Sequence, residues 1–427
     1  GELKSLQLRF QELDIKCLEV EAKNQNLVSE MIAQKANTAE LINGMNSLVQ
    51  SKAPGELSDE LHDLMSKLTP QSSSLEAKTA PESFGIAAGP ADLARQASES
   101  GELTTAPCRW ERVHERQGAK LSSACFNGDG SLFAVSGSDG VVQLFNGHTG
   151  ASLLNRSASV RSQVSSIDFK GNLVLSTAES KADLWCVPVS GPMQLLRTLT
   201  RSLTRLSASK SIVAGKLSPD CRYVATGGRE MNIWDTEQGN CLRSIDPQNQ
   251  SKCLSLDIDP DGKFLCCGLA TRQGGELRLY DLRTARKIAV VSDLHSKAVT
   301  SVCFSQDANR LLTSSMDNSL SFLEVGSLGN GAKPRAVLSH ADFVSNLWWS
   351  KACLSPGTGD AMVAAAGDKN GFVTFWNASN SEVVLRERAH VHPDLGKASA
   401  VTCVAWSPRG THVVSCDVDG GVVLWYR

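Results

Sequence analysis

Val401-Thr402-Cys403-Val404-Ala405-Trp406-Ser407-Pro408-Arg409-Gly410, then Thr411-His412-Val413-Val414-Ser415, then Asp417-Val418-Asp419-Gly420-Gly421-Val422-Val423-Leu424-Trp425, end the chain as three short apolar strands. Turn residues separate them: Gly reaches positive φ at no steric cost, and Pro fixes its own φ. The same grammar recurs six more times upstream, at intervals of roughly 40–45 residues. Four short strands per repeat at that period make a β-propeller blade. The chain therefore reads as an all-β seven-bladed β-propeller, preceded by an N-terminal α-helical coiled coil. A propeller is usually a platform for partners.

Working upstream, blade 1 carries Ser122-Ser123-Ala124-Cys125-Phe126, Leu132-Phe133-Ala134-Val135 and Val141-Val142-Gln143-Leu144-Phe145, with Gly128-Asp129-Gly130 and Gly137-Ser138-Asp139-Gly140 as turns. Blade 2 runs from Val164 to Trp185, and blade 3 starts at Ile212 and ends in Ile233-Trp234-Asp235. Blade 4 starts at Cys253, blade 5 at Val299, and blade 6 at Val344 with a longer first turn from Lys351 to Asp360. These repeats resemble the WD-repeat family. Trp234-Asp235 is the literal Trp-Asp, and Trp185, Tyr280, Trp376 and Trp425 take the same aromatic position. The Gly-His that opens many such repeats is absent; His295, His340 and His390 are partial substitutes, which predicts a weakened internal His/Asp network. A ring must also hide its last edge strand. Blade 7 stops two residues after Trp425, so Arg109-Trp110-Glu111-Arg112-Val113-His114 is expected to close it.

Residues 1–50 carry a different period. Leu3, Leu6, Phe10, Leu13, Cys17, Val20, Asn24, Leu27, Met31, Gln34, Thr38, Leu41, Met45 and Leu48 fall on a mostly apolar seam with steps of three and four, sustained over six heptads. Asn24 at a buried position favours a parallel dimer in fixed register. Leu6, Phe10, Leu13, Val20, Asn24, Leu27, Met31 and Leu41 are the expected dimerisation contacts, along a rod of roughly 70 Å. Pro54-Gly55 ends it. Over residues 51–68 a short amphipathic helix is expected, its Glu56, Asp59, Glu60 and Asp63 forming an acidic stripe. That stripe is either a solvated face or a docking peptide for a basic groove. Residues 69–107, rich in Ser, Ala, Pro and Gly, read as a disordered linker, and residues 108–427 as the propeller.

Bulk properties narrow the function classes. A formal net charge of −2 gives no electrostatic reason to expect broad nucleic-acid binding. No run approaches the roughly 18 apolar residues that span a bilayer. Thirteen cysteines without a C-x-x-C pair point to reduced thiols, many inside strands, and to a cytoplasmic chain. Cys266-Cys267 would point to opposite faces of one strand. Phosphate-binding, nucleophile-elbow and zinc-protease motifs are all missing. The chain reads as non-catalytic, with no catalytic residue, cofactor or metal assigned. His390-Val391-His392 with Asp394 is a poor metal set, since a flexible loop with two His and one Asp is usually just solvated.

Two surface features remain. Arg197, Arg201 and Arg205, with Lys210, form a basic cluster between blades 2 and 3: either an exposed outer strand or a contact for an acidic partner or anionic membrane. Trp110-Glu111-Arg112-Val113 fits the aromatic-x-x-aliphatic motif of ubiquitin-like autophagy modifiers, but the same residues are wanted as the closing strand. The paired arginines with which some propellers grip phosphoinositides are absent.

The coil decides among families. Glu2-Leu3-Lys4-Ser5-Leu6-Gln7-Leu8, Lys23-Asn24-Gln25-Asn26-Leu27-Val28, Met31-Ile32-Ala33-Gln34-Lys35-Ala36 and Met45-Asn46 resemble the coil of the autophagy-related protein 16 family. Val404-Ala405-Trp406-Ser407-Pro408 and His412-Val413-Val414-Ser415 are similar to that family's last blade. Blades 2 to 4 are generic. The resemblance implies a cytoplasmic, dimeric scaffold that recruits the Atg-five/Atg-twelve conjugate to the autophagosome precursor membrane and promotes lipidation of the Atg-eight-type modifier. The family's Atg-five contact lies N-terminal to the coil, upstream of Gly1. By the same analogy the acidic stripe meets a phosphoinositide-binding propeller protein, membrane association is peripheral and through partners, and the propeller's own ligands are unknown. The competing class is a WD-repeat substrate receptor or assembly scaffold in ubiquitin ligation, splicing or transcriptional repression, although no RING-like, U-box or F-box segment is visible.

Overall fold

The computed structural model describes residues 107–426 except 108, 117, 161, 189–190, 201–211, 248–249, 329–332, 346, 358–360 and 393–394. The expected coil, acidic helix and linker over 1–106 lie outside the described residues. Within them the chain forms seven four-stranded antiparallel sheets. Six are built from four consecutive strands. The seventh takes its outer strand from the start of the described chain, so Arg109–Glu115 pairs with Gly421–Tyr426. Trp110 lies opposite Trp425 and Arg112 opposite Val423. This is the expected closing strand, and it leaves blade 7 with the same number of strands as the others.

The innermost strands lie side by side around the ring axis. They are Leu121–Phe126, Val164–Lys170, Ile212–Leu217, Lys252–Ile258, Val299–Phe304, Cys353–Leu354 and Val401–Trp406. Small residues dominate because the backbones converge there. In six blades the pairing between first and second strands slips by one residue, and the residue after the slip is Ser123, Ser166, Ala214, Ser255, Ser301 or Cys403. A bulge re-aims the side chain that follows it. Three of these then bond the next blade's inner backbone. Ser123 Oγ accepts from Ile167 N at 3.2 Å, Ser301 Oγ from Ala352 N at 3.1 Å, and Cys403 Sγ from Ala124 N at 3.3 Å.

Apolar burial sits between blades. Each of seven clusters joins two adjacent sheets, from Val142, Leu144, Ile167 and Val174 between blades 1 and 2 to Phe126, Phe133, Val414 and Leu424 between blades 7 and 1. Successive residues of a strand go to different clusters, and because both faces of every sheet meet a neighbour the strands read as near-continuous apolar runs. Cys266 belongs to the cluster shared with blade 5 and Cys267 to that shared with blade 3, as expected of adjacent residues in one strand. All eleven described cysteines are free.

Blade 6 departs from expectation. Its inner strand is only Cys353–Leu354, and Val344 lies in the connection before it. The Trp348-Trp349 pair explains the difference, because two indoles do not fit where inner strands carry Ser, Ala and Cys. They pack edge to face instead, centroids 5.0 Å apart, and Trp348 remains exposed. Lys351 pairs with blade 7 rather than with its own blade: its N–H donates to Thr402 O and its carbonyl accepts from Val404 N. The turn expected at Lys351 to Asp360 begins only after Leu354.

Candidate docking surfaces

Two lysines near the ring axis, Lys216 on the blade 3 inner strand and Lys351 just before that of blade 6, face opposite fates. Lys216 Nζ lies 3.3 Å from Asp168 Oδ1 and 3.5 Å from Asp257 Oδ1. Both carboxylates are held by backbone too: Leu217 N donates to Asp168 at 2.9 Å, Phe304 N to Asp257 at 2.7 Å. Burial works to raise the Asp168 carboxyl, but Lys216, Lys170 and the Leu217 N–H together hold it below its usual range. Lys351 crosses from blade 6 to donate to Ser123 Oγ at 2.8 Å and Ser166 Oγ at 2.7 Å. Burial lowers its ammonium's pKa. At the channel mouth Lys252 Nζ sits 5.3 Å from the Trp348 ring centre, a cation–π contact from blade 4 to the blade 6 connection.

Blade 7 carries a complete buried relay. Trp425 Nε1 donates to Ser415 Oγ (2.8 Å), and Ser415 Oγ lies 2.6 Å from His390 Nε2. His390 Nδ1 lies 2.7 Å from Asp417 Oδ2. A neutral His390 protonated on Nδ1 satisfies every donor in that series. Asp417 also accepts from Gly421 N and from Arg112 of the closing strand, at 2.8 and 3.2 Å. His390 is thereby committed to structure, not offered to a metal; Asp394 lies outside the described residues. Blade 5 has the same relay without the indole: His295 joins Thr313 Oγ1 at 2.8 Å and Asp317 Oδ2 at 3.1 Å. Burial tends to raise the Asp317 carboxyl, yet hydrogen bonds from His295 and Ser319 hold it down, at about 2.

The expected weakening of these networks is therefore corrected for blades 5 and 7. His340 does not join one; its Nδ1 accepts from Asp342 N. In blade 6 Arg386, on the outer strand, does the work instead, donating to Asp368 Oδ2 at 2.8 Å and Thr374 Oγ1 at 2.9 Å. Sequence reading missed Arg386 because it sits on a different strand from the histidines. Asp368-Lys369-Asn370-Gly371, spaced like Asp417-Val418-Asp419-Gly420, was the available signal.

The outer rim is apolar in a repeated way. The third and fourth strands slip register beside the aromatic, between Leu184 and Trp185, Ile233 and Trp234, Leu279 and Tyr280, and Phe375 and Trp376. The residue squeezed out is Leu196, Leu242, Ile288 and Val384 in turn, and all four are exposed. Bulges twist an edge strand away from further pairing, while these side chains give the rim an apolar belt. Of the basic cluster, Arg197 lies exposed on the blade 2 outer strand Gln194–Thr200, with its stem beside Gly239 of blade 3. Arg201, Arg205 and Lys210 lie outside the described residues, as do Glu56, Asp59, Glu60, Asp63 and every coil position. Trp110 is exposed and its ring centre lies 6.1 Å from that of Trp425. Val113 packs beside Phe133 and Leu424, so the aromatic-x-x-aliphatic residues serve the closing strand. Among the described residues no group of three His, Cys, Asp or Glu is placed to hold a metal ion.

Comparison with known proteins agrees with the repeats. The model of the WD domain, G-beta repeat, matches residues 288–322 and 389–426, and that of the anaphase-promoting complex subunit 4 WD40 domain matches 90–172. Autophagy-related protein 16 of Arabidopsis thaliana is 27% identical over 429 residues, covering 99% of this chain and 75% of its own length. The chain resembles autophagy-related protein 16. Protein tipD of Dictyostelium discoideum is 25% identical across 99% of this chain and 65% of its own length. Protein Atg16l2 of Mus musculus is 28% identical across 75% of this chain and 47% of its own length. The chain is thus an autophagy-related WD-repeat propeller by similarity, and spans 75% and 65% of the lengths of the two relatives matched along its length.

Proposed function

We propose that this chain is a non-catalytic, dimeric autophagy scaffold that brings the Atg-five/Atg-twelve conjugation machinery to the autophagosome precursor membrane and so promotes lipidation of the Atg-eight-type modifier. One observation carries the reading. The similarity to the Arabidopsis and Dictyostelium proteins covers 99% of the chain, and so takes in residues 1–106 that any ordinary propeller match would omit. The mechanism is effective concentration. A coil dimerised through Leu6, Phe10, Leu13, Val20, Asn24, Leu27, Met31 and Leu41 presents two propellers and two copies of the machinery to one membrane patch, and linked weak contacts gain avidity. The acidic stripe Glu56, Asp59, Glu60 and Asp63 serves as a docking peptide for a phosphoinositide-binding propeller protein. Arg197, Arg201 and Arg205 contact an acidic partner, and the chain works from the cytoplasm.

The test is mass spectrometry of proteins that co-purify with the full-length endogenous protein, tagged at its C-terminus, from fed and starved cells. Near-stoichiometric recovery of the Atg-five/Atg-twelve pair is expected. Its absence, with cullins, splicing factors or repressor subunits in its place, would overturn the reading.

A further inference from the structure

Lys351 has a charge problem that its neighbours do not solve. Its ammonium carries three N–H donors, and the described residues accept two of them, both through neutral hydroxyls. Among the described residues no carboxylate lies within ion-pair distance of it. A partly buried ammonium still gains from a counter-charge, since hydroxyls offset only part of its desolvation. The two hydroxyls compound the deficit. Ser123 Oγ already accepts from Lys351 and from Ile167 N, and Ser166 Oγ accepts from Lys351. Each must aim its own O–H elsewhere, and among the described residues neither has an acceptor. Three donors, one of them charged, thus converge where blades 1, 2 and 6 meet in the channel.

The surrounding charges do not fill the gap. Asp168 and Asp257 are spent on Lys216 and on backbone N–H groups. Lys216 acts on Lys351 more strongly, as a repelling cation, than Asp168 does as an attracting anion. Cys403 is the other candidate: the Cys416 thiol first, then Lys351 and the Ala124 N–H, hold its thiol low, at about 7, against burial. Its sulfur accepts from Ala124 N and has no hydrogen bond to either hydroxyl, which leaves both without acceptors.

We propose that Lys351, Ser123 and Ser166 form a binding site in the propeller channel for a small oxyanion, either a phosphate group or a carboxylate. The ammonium supplies the charge and the two hydroxyls donate to separate oxygens, which suits a group with two or three acceptor oxygens at tetrahedral or trigonal spacing. Free phosphate and an acidic side chain reaching in from the mouth satisfy the same donors.

The full chain is melted in inorganic phosphate, acetate or chloride at matched ionic strength, and phosphate binding is read independently by phosphorus NMR line broadening. Phosphate or acetate is expected to raise the melting temperature above chloride, on the order of 2 °C at saturating anion. A phosphate-only effect assigns a free anion, and an equal acetate effect assigns a carboxylate. Lys351→Met should weaken binding at least about tenfold, while Lys252→Met at the mouth leaves it unchanged. Ser123→Ala/Ser166→Ala, which keeps the lysine, provides a second variant if Lys351→Met does not fold, and the wild-type NMR titration stands without either. Failure of both anions to bind the wild type, or equal binding by Lys351→Met, overturns the site. A Cys403→Ser variant that abolishes a thiolate absorbance in a wild type indifferent to anions would identify Cys403 as the internal counter-charge.

Discussion

Asp417 ends the second strand of blade 7 and Asp317 lies two residues beyond the second strand of blade 5, and both face a histidine. Their ionised forms are favoured in the fold. For Asp317 the sign is clear: a carboxyl held at about 2, against an ordinary value near 3.8, contributes stability above about pH 4 that is lost as pH falls toward 2. Asp317→Asn should therefore destabilise by about 1–3 kcal/mol at neutral pH, through loss of charge-assisted hydrogen bonds. Its deficit relative to wild type should shrink as pH falls from about 4 to about 2. Urea unfolding across that range measures both, and a deficit constant with pH would remove the ionised carboxylate from the account. These residues were only half legible in the chain. His295 and His390 stood out because His is scarce here, but Arg386 did not, since register alone brings an outer-strand arginine onto Asp368.

At the scale of elements, short apolar runs punctuated by Gly/Asp turns made most blades readable, because both faces of every sheet are buried. Blade 6 misled for a physical reason. Val344-Ser345-Asn346-Leu347-Trp348-Trp349 has the composition of a strand, yet indoles are too large for the crowded axis. The bulges that expose Leu196, Leu242, Ile288 and Val384 were invisible, since a one-residue slip leaves no mark on composition. The closing strand was legible from topology: a ring needs its edge covered, and Arg109-Trp110-Glu111-Arg112-Val113-His114 was the available segment. It also feeds the buried relay, through Arg112 to Asp417. Removing residues up to 115 should strip Gly421–Tyr426 of its partner and leave an exposed strand edge. The expected outcome is a melting temperature lower by on the order of 10 °C, with concentration-dependent light scattering. A truncated protein that melts like the full chain would mean the ring closes without this strand.

At the scale of the whole molecule, the described propeller offers several surfaces, and in the proposed scaffold its use depends on how many copies are held together and where. Lys351 in the channel, the apolar rim belt and Arg197 on the outer strand are separate candidate contacts, each modest. Linking two copies turns the second contact into an intramolecular event, raising overall avidity by about 10²–10⁴ without any new interface. The coil proposed for residues 1–50, which lie outside the described residues, would supply that link; a buried 3.5-residue period is the kind of signal that leaves a continuous trace in sequence. In the proposed heptad register Leu13, Leu27 and Leu41 all take d positions. Changing all three to Asp places six like charges inside a dimer, which the gain from apolar burial cannot offset. Light scattering should then give half the wild-type solution mass, while the propeller's melting is unchanged because its inter-blade cores are untouched. Binding to a partner immobilised at high density should fall by the avidity factor, and binding to the same partner free in solution should not. A triple variant that stays dimeric would remove the coil as the dimerising element; one that becomes monomeric yet binds the dense surface equally well would remove avidity as the mechanism.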